Sequence, residues 1–221
     1  MGKTKIIEVK ESVFADNDRE AALLREELKE KKSLLINLMS SPGSGKTSFL
    51  SRLINDIKER INIAVMEADI DSDVDARKID EATGVKAIQL HTGGMCHLTA
   101  AMTRQGLEAL PAEGFDLIFL ENVGNLVCPA EFDTGAAMNM TILSVPEGDD
   151  KPLKYPLMYQ VCDLVVINKI DTLPVFDFDV EKAKENIRMR NPKAEVFCVS
   201  AKTGEGFPAV EDWILKKAAS L

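Results

Sequence analysis

From about residue 33 onward, short apolar runs alternate with longer stretches whose apolar residues recur at helical spacing. The runs Ser33–Met39, Ile61–Met66, Val85–Leu90, Phe115–Leu120, Met140–Val145, Asp163–Ile167 and Glu195–Val199 are short and mostly apolar, the signature of strands buried on both faces. Between them, Thr47–Arg60, Val74–Ala82, Leu98–Leu110, Val180–Arg190 and Pro208–Ala219 each carry one apolar stripe and are predicted as helices. This alternation implies an α/β fold, a doubly wound, mostly parallel sheet of about seven strands flanked by helices. Ahead of it, Asp16–Lys31 places Ala21, Leu24 and Leu28 at helical spacing, with Asp16 or Asp18 as the expected N-cap. This extra N-terminal helix reads as packing on the body of the domain rather than as a dedicated partner-binding arm. The expected division is a helical extension over residues 1–32 and one domain over residues 33–221.

Composition narrows the function. No apolar run approaches the roughly 20 residues of a bilayer span, and the start of the chain lacks an apolar stretch followed by a small-residue cleavage site. The chain is therefore expected in the cytoplasm, away from membranes. A net charge of -9 argues against nucleic acid, whose phosphates require a basic face. Without an export signal, Cys96, Cys128, Cys162 and Cys198 read as reduced thiols or metal ligands rather than disulfides. Cys162, just before an apolar run, and Cys198, within one, are assigned as small core residues.

The first strand runs into Ser40-Ser41-Pro42-Gly43-Ser44-Gly45-Lys46-Thr47, and Ser48 continues into a helical stretch. This is a phosphate-binding loop in its required strand-to-helix context. Gly43 and Gly45 let the backbone curl so that N–H groups, including that of Ser44, face phosphate oxygens at the positive end of the helix. Lys46 would reach the β- and γ-phosphates, and the Thr47 hydroxyl would ligate Mg²⁺. Ser40 stands where this motif usually has its first glycine.

A later strand ends in Asn168-Lys169-Ile170-Asp171, a guanine-specifying motif. By resemblance to GTPases that carry this motif, the Asp171 carboxylate would accept the paired N1 and N2 hydrogens of guanine, which adenine lacks, and the Lys169 stem would cover the base. An unmatched buried carboxylate is costly, so ATP should be discriminated against. Ser200-Ala201-Lys202 follows the last strand as a second guanine element, with the Ala201 N–H facing O6. Between the two regions, Phe115–Leu120 leads into Glu121-Asn122-Val123-Gly124-Asn125. Glu121 would sit near Mg²⁺, and the Gly124 N–H would sense the γ-phosphate. Asn125 occupies the place of a water-orienting Gln, so intrinsic hydrolysis should be slow. Asp69 and Asp75 are candidates for a direct or water-mediated Mg²⁺ contact, whereas a solvated acidic loop explains Asp71 and Asp73 equally well.

Cys96-His97 follows the Gly93-Gly94 turn after the third strand, and Cys128 follows Gly124 by four residues. Both lie on the ligand-bearing edge of the sheet, where two thiols and an imidazole would suit Zn²⁺ or Ni²⁺. His91 reads as a structural residue beside the glycine turn.

With these residues in view, the chain resembles the HypB family of hydrogenase nickel-incorporation GTPases, within the signal-recognition and Min-like GTPase class. The resemblance covers nearly the whole chain. It rests on Ser40–Thr47, Cys96-His97, Glu147-Gly148-Asp149-Asp150-Lys151, Asn168–Asp171 and, most specifically, the block Glu121–Asp133. It implies a P-loop GTPase domain with inserted metal-binding loops, in which Cys96, His97 and Cys128 hold the metal and GTP brings two protomers together with their metal loops at the interface. It further implies GTP hydrolysis coupled to nickel delivery during nickel-iron hydrogenase maturation. The partners it implies are a small zinc- and nickel-binding accessory protein and, indirectly, the hydrogenase large subunit. The chain departs from some members in lacking a cysteine-rich N-terminal motif and a histidine-rich tract, which counts against nickel storage. Rival readings are a urease nickel accessory protein, a cobalamin-enzyme chaperone, a nickel or zinc store, or an ATP-driven partitioning protein. The last conflicts with Asn168–Asp171.

Overall fold

The structure, a computed structural model, describes the backbone of residues 9–69, 74–111 and 114–221, and side chains from Phe14 onward within them except those of residues 74 and 75. The chain runs α1 (Val9–Glu30), β1 (Leu34–Ser40), α2 (Lys46–Ile57), β2 (Ile63–Asp69), α3 (Val74–Thr83), β3 (Lys86–His91), α4 (Ala100–Ala109) and β4 (Leu117–Glu121). It continues through α5 (Cys128–Glu131), β5 (Met138–Ser144), α6 (Lys151–Lys154), α7 (Pro156–Gln160), β6 (Leu164–Asn168), α8 (Val180–Arg190), β7 (Glu195–Cys198) and α9 (Phe207–Ala218).

The strands form one seven-stranded sheet in the order β3-β2-β4-β1-β5-β6-β7, and every pairing is parallel. Alternation along β1 divides the core. Leu34, Ile36 and Leu38 face α2 and α9, where Phe49, Leu53, Phe207 and Val210 are buried. Leu35 faces the opposite side, where Leu24 and Leu28 of α1 pack with Met66 and Leu120. On that same side, Met39 joins a neighbouring cluster with Tyr159 and Ile187. In α2, Phe49, Leu50, Leu53, Ile54 and Ile57 are all buried, one stripe at helical spacing. Burying such a side chain contributes roughly 1.5–3 kcal/mol each, which makes this stripe the main anchor of the helix that follows the phosphate loop.

Parallel strands put all their carboxyl ends on one edge. Because β1 lies between β4 and β5, the chain leaves β1 and β4 at the point where strand order reverses, and a crevice opens there. Below it a chain of amides, buried at Asn122 and Asn37 and partly buried at Asn139, links the end of β4 to β1 and β5. Asn122 Nδ2 donates to Asn37 Oδ1 at 3.0 Å, and Asn37 Nδ2 donates to Asn139 Oδ1 at 3.0 Å.

Helix boundaries differ from the sequence expectation in one informative place. α1 begins by Val9, so Asp16 and Asp18 lie inside it rather than capping it, and Asp16 pairs with Arg19. The short helices α5, α6 and α7 carry too few residues to show a period. Cys162 is fully buried, as expected, and Cys198 is only partly so. His91 ends β3 and is exposed.

Candidate nucleotide cleft and metal-ligand cluster

Gly45 is the N-cap of α2 and adopts φ 97°, a left-handed conformation that glycine alone takes without strain. A Cβ there would lie 2.8 Å from Asn168 Nδ2, so the loop needs glycine twice over. The departure at Ser40 has a structural role: its hydroxyl lies 2.6 Å from Ser44 Oγ and donates to Ser41 O at 3.1 Å, stapling the buried base of the loop. Ser41 Oγ donates to Glu147, whose other carboxylate oxygen accepts from Ser144 N at 2.9 Å and Ser144 Oγ at 2.7 Å. The loop is thereby tied to the end of β5.

A cleft of about 1070 Å³ opens above this loop, lined by Gly43, Gly45, Lys46, Thr47, Ser48, Asp69, Glu121, Gly124 and Lys169 among others. Lys46 Nζ lies 3.9 Å from Glu121 Oε1, both side chains being largely buried. The hydroxyl of Thr47 and the carboxylates of Asp69 and Glu121 are hard oxygen donors around one space, a set suited to Mg²⁺. The side chain of Asp75, and residues Asp71 and Asp73, lie outside the described residues.

The guanine-motif residues form an adjoining cluster. Asn168 Nδ2 donates to Ser44 O at 3.1 Å and Lys169 Nζ to Gly43 O at 2.7 Å, so this motif braces the phosphate loop. Ser200 Oγ donates to Asp171 Oδ1 at 2.6 Å, fixing the carboxylate, and Ala201 N–H is aimed at Asn168 Oδ1 at 3.3 Å. Lys202 is exposed. Asp171, Ser200, Ala201 and Lys202 stand beyond Lys169 rather than in the phosphate cleft itself.

One buried carboxylate escaped the sequence reading. Glu67 of β2 is paired in register with Glu121 of β4, is 3% exposed, and lines the same cleft. Two buried acids therefore stand side by side on adjacent strands, near Lys46. Strand parity carried the signal, since Glu67 and Asp69 share a face, but the predicted strand stopped at Met66.

Gly124 packs so closely on the phosphate loop that a Cβ would lie 3.1 Å from Pro42 Cγ. Four residues later Cys128 opens α5. Between them Asn125 Oδ1 accepts from Val127 N at 2.8 Å, turning its amide toward the loop that carries Cys128. The structure brings Cys96, His97 and Cys128 together, with one ligand atom from each within 4.8 Å of the others. A tetrahedral zinc site places thiolates and imidazole about 3.5–3.8 Å apart, so a contraction of about 1 Å would close the cluster on an ion, with no fourth donor grouped with these three among the described residues. The His97 ring stacks on Phe132 at 3.8 Å between centroids and 14° between planes. Burial holds the imidazole below its ordinary pKa, against the opposing pull of Glu131, which favours the neutral, ligating form. The Cys128 thiol is pushed up, first by its hydrogen bond with Cys96 and then by burial, so it keeps its proton until a soft cation displaces it.

Fold and loop together define a P-loop nucleotide hydrolase of the α/β class, with a thiol–imidazole cluster close beyond the Glu121–Gly124 segment that lines the cleft. Comparison with known proteins places it further. The family model described as CobW/HypB/UreG, nucleotide-binding domain, matches residues 34–198. The hydrogenase maturation factor HypB of Rhizobium leguminosarum bv. viciae is 45% identical over 219 residues, covering 99% of this chain and 73% of that protein. The crystal structure of HypB from Helicobacter pylori in complex with nickel superposes with a TM-score of 0.87 at 40% identity, covering 93% of this chain and 96% of that one. Hydrogenase maturation factor HypB from Archaeoglobus fulgidus gives 0.85 at 37% identity, covering 92% and 99%. The chain belongs to the CobW/HypB/UreG family and, within it, to the HypB hydrogenase maturation factors. No described helix is long and apolar enough to cross a membrane.

Proposed function

We propose that this protein is a GTPase metallochaperone that couples the guanine-nucleotide cycle to nickel delivery during nickel-iron hydrogenase maturation. The observation that carries the reading is the continuity of one short segment: Gly124 rests on Pro42 of the phosphate loop, and Cys128 of the ligand cluster follows four residues later. A γ-phosphate that shifts Gly124 has no slack chain through which to lose the displacement before Cys128.

In this reading Asp171, held by Ser200, selects guanine, and Lys46 and the loop N–H groups hold the phosphates. Thr47, Asp69 and Glu121 would hold Mg²⁺, which would neutralise negative charge on the nucleotide phosphates. Hydrolysis is slow, because the Asn125 amide is engaged with Val127 N–H instead of orienting water. Nickel is the cargo and Zn²⁺ its competitor for Cys96, His97 and Cys128. A set of three donors fits transfer by ligand exchange, in which a second copy of this chain or the small nickel- and zinc-binding accessory protein would supply the missing donor. The hydrogenase large subunit is the eventual recipient.

The test titrates Ni²⁺ and Zn²⁺ into the nucleotide-free, GDP and non-hydrolysable-GTP forms while molecular mass is measured. A change of metal affinity and a GTP-dependent dimer are expected. Equal affinity and one unchanged mass in all three forms would overturn the coupled cycle.

A further inference from the structure

The N-terminal helix α1 does more than cover the sheet: it reaches both segments that carry the metal-ligand cluster. Asn17, in its N-terminal half, uses both ends of one carboxamide. Asn17 Oδ1 accepts from the backbone N–H of Ala100 at 3.0 Å, and Asn17 Nδ2 donates to the backbone carbonyl of Asp133 at 2.8 Å. Ala100 is the first residue of α4, three positions after His97, so its N–H is one of the orphan donors of a helix start. Asp133 ends the loop that begins at Cys128, next to Phe132 on which the His97 ring stacks.

Three further contacts on the same helix support this one. Phe14 packs against Phe132 with ring centroids 4.8 Å apart. Arg25 Nη2 donates to both carboxylate oxygens of Asp133, at 2.7 and 2.8 Å, and Arg25 Nε donates to Ala136 O at 2.9 Å. Gly135, at φ 81°, brings the loop so close to α1 that a Cβ would meet Leu24 Cδ2 at 2.8 Å. Helix packing alone asks only for Ala21, Leu24 and Leu28, which are buried. It does not require an amide that joins the backbones of two loops, one bearing Cys96 and His97 and the other bearing Cys128.

We propose that Asn17 is a positioning residue for the metal-ligand cluster: its carboxamide sets the separation of the Cys96–His97 segment from the Cys128 segment, and α1 thereby tunes metal affinity. This rests on the reading of Cys96, His97 and Cys128 as metal ligands. Asn17 touches no ion and acts through the two backbones it joins, as groups outside a ligand set orient the ligands within it.

The test compares wild type with Asn17→Ala, Asn17→Asp, Leu28→Ala and Cys128→Ser. Each is titrated with Ni²⁺ against a chromophoric chelator, and the sulfur-to-nickel charge-transfer band, GDP affinity and thermal midpoint are recorded. Asn17→Ala is expected to weaken Ni²⁺ binding about tenfold or more and to shift the charge-transfer band, with GDP affinity unchanged. Asn17→Asp keeps the acceptor for Ala100 N–H but loses the donor to Asp133, and is expected to show the same defect in smaller measure; it also serves if Asn17→Ala fails to fold. Leu28→Ala removes packing on the same helix and is expected to lower the midpoint while leaving affinity and band in place. Unchanged Ni²⁺ affinity and band in both Asn17 variants overturns the proposal, as does an equal loss in Leu28→Ala, which would reduce α1 to general stability. Wild-type affinity in Cys128→Ser would instead overturn the ligand assignment beneath it.

Discussion

Single residues here are constrained by what touches them, and the constraints differ in kind. Gly45 is fixed by backbone conformation and by Asn168 Nδ2 behind it. A non-glycine residue in the left-handed region costs about 1–2 kcal/mol, and the added methyl must also displace the amide that braces the loop. Gly45→Ala is expected to fold but to lose measurable GDP binding in a fluorescence titration. Glu67 is constrained by charge. Paired in register with Glu121 and buried beside it, it adds a second carboxyl group where Mg²⁺ would be held. Glu67→Gln keeps its size and removes that carboxyl group. Steady-state phosphate release from GTP is expected to fall about 10²-fold, the scale of a positioned acid or base, with the thermal midpoint little changed. Wild-type turnover would place Glu67 outside the hydrolytic centre. Sequence showed Glu121 and missed Glu67, because a lone glutamate at a strand end carries no motif; only its neighbour across the sheet makes it notable.

At the scale of elements, the loops matter more than the strands that present them. The turn Val145–Glu147 joins β5 to α6 through a reciprocal cap between Ser144 and Glu147, and the same carboxylate accepts from Ser41 in the phosphate loop. Glu147→Ala removes the cap and the anchor together. A stability loss of about 0.5–2 kcal/mol is expected from the cap, read by chemical denaturation, together with weaker GDP binding. A stability loss with wild-type GDP affinity would show that the Ser41 contact does not shape the phosphate loop. Glu147 was legible in the sequence only as part of the Glu147–Lys151 resemblance. Its contact with Ser41 crosses from one strand end to another, and no local pattern encodes it. The same holds for α1, whose apolar stripe of Ala21, Leu24 and Leu28 was plain, while its reach back to Val9 was missed because Asp16 and Asp18 read as caps.

For the whole molecule, one parallel sheet gathers the phosphate loop, the guanine motif and the ligand cluster onto a single edge. Ligand binding should therefore stabilise the fold as a unit. At one hundred times its dissociation constant a ligand adds about 2.7 kcal/mol to the folded state. GDP is expected to raise the thermal midpoint accordingly, and ATP at equal concentration to leave it in place; equal shifts would refute guanine selection through Asp171.

What the sequence determined by itself was chemistry written within a few consecutive residues. The strand-loop-helix at Ser40–Thr47, the Asn168–Asp171 motif and the alternation of apolar runs each depend on local spacing, which the chain carries whatever its surroundings. What only the tertiary structure decided was proximity. Cys96-His97 and Cys128, which the resemblance implied as one ligand set, gain their actual spacing, Glu67 and Glu121 become a pair, and Asn17 comes to span two loops, because strand order places β4 between β2 and β1 and lays α1 across the loops beyond. That order follows from the packing of two helical layers on a shared sheet, a property of the whole core that no segment of the chain contains.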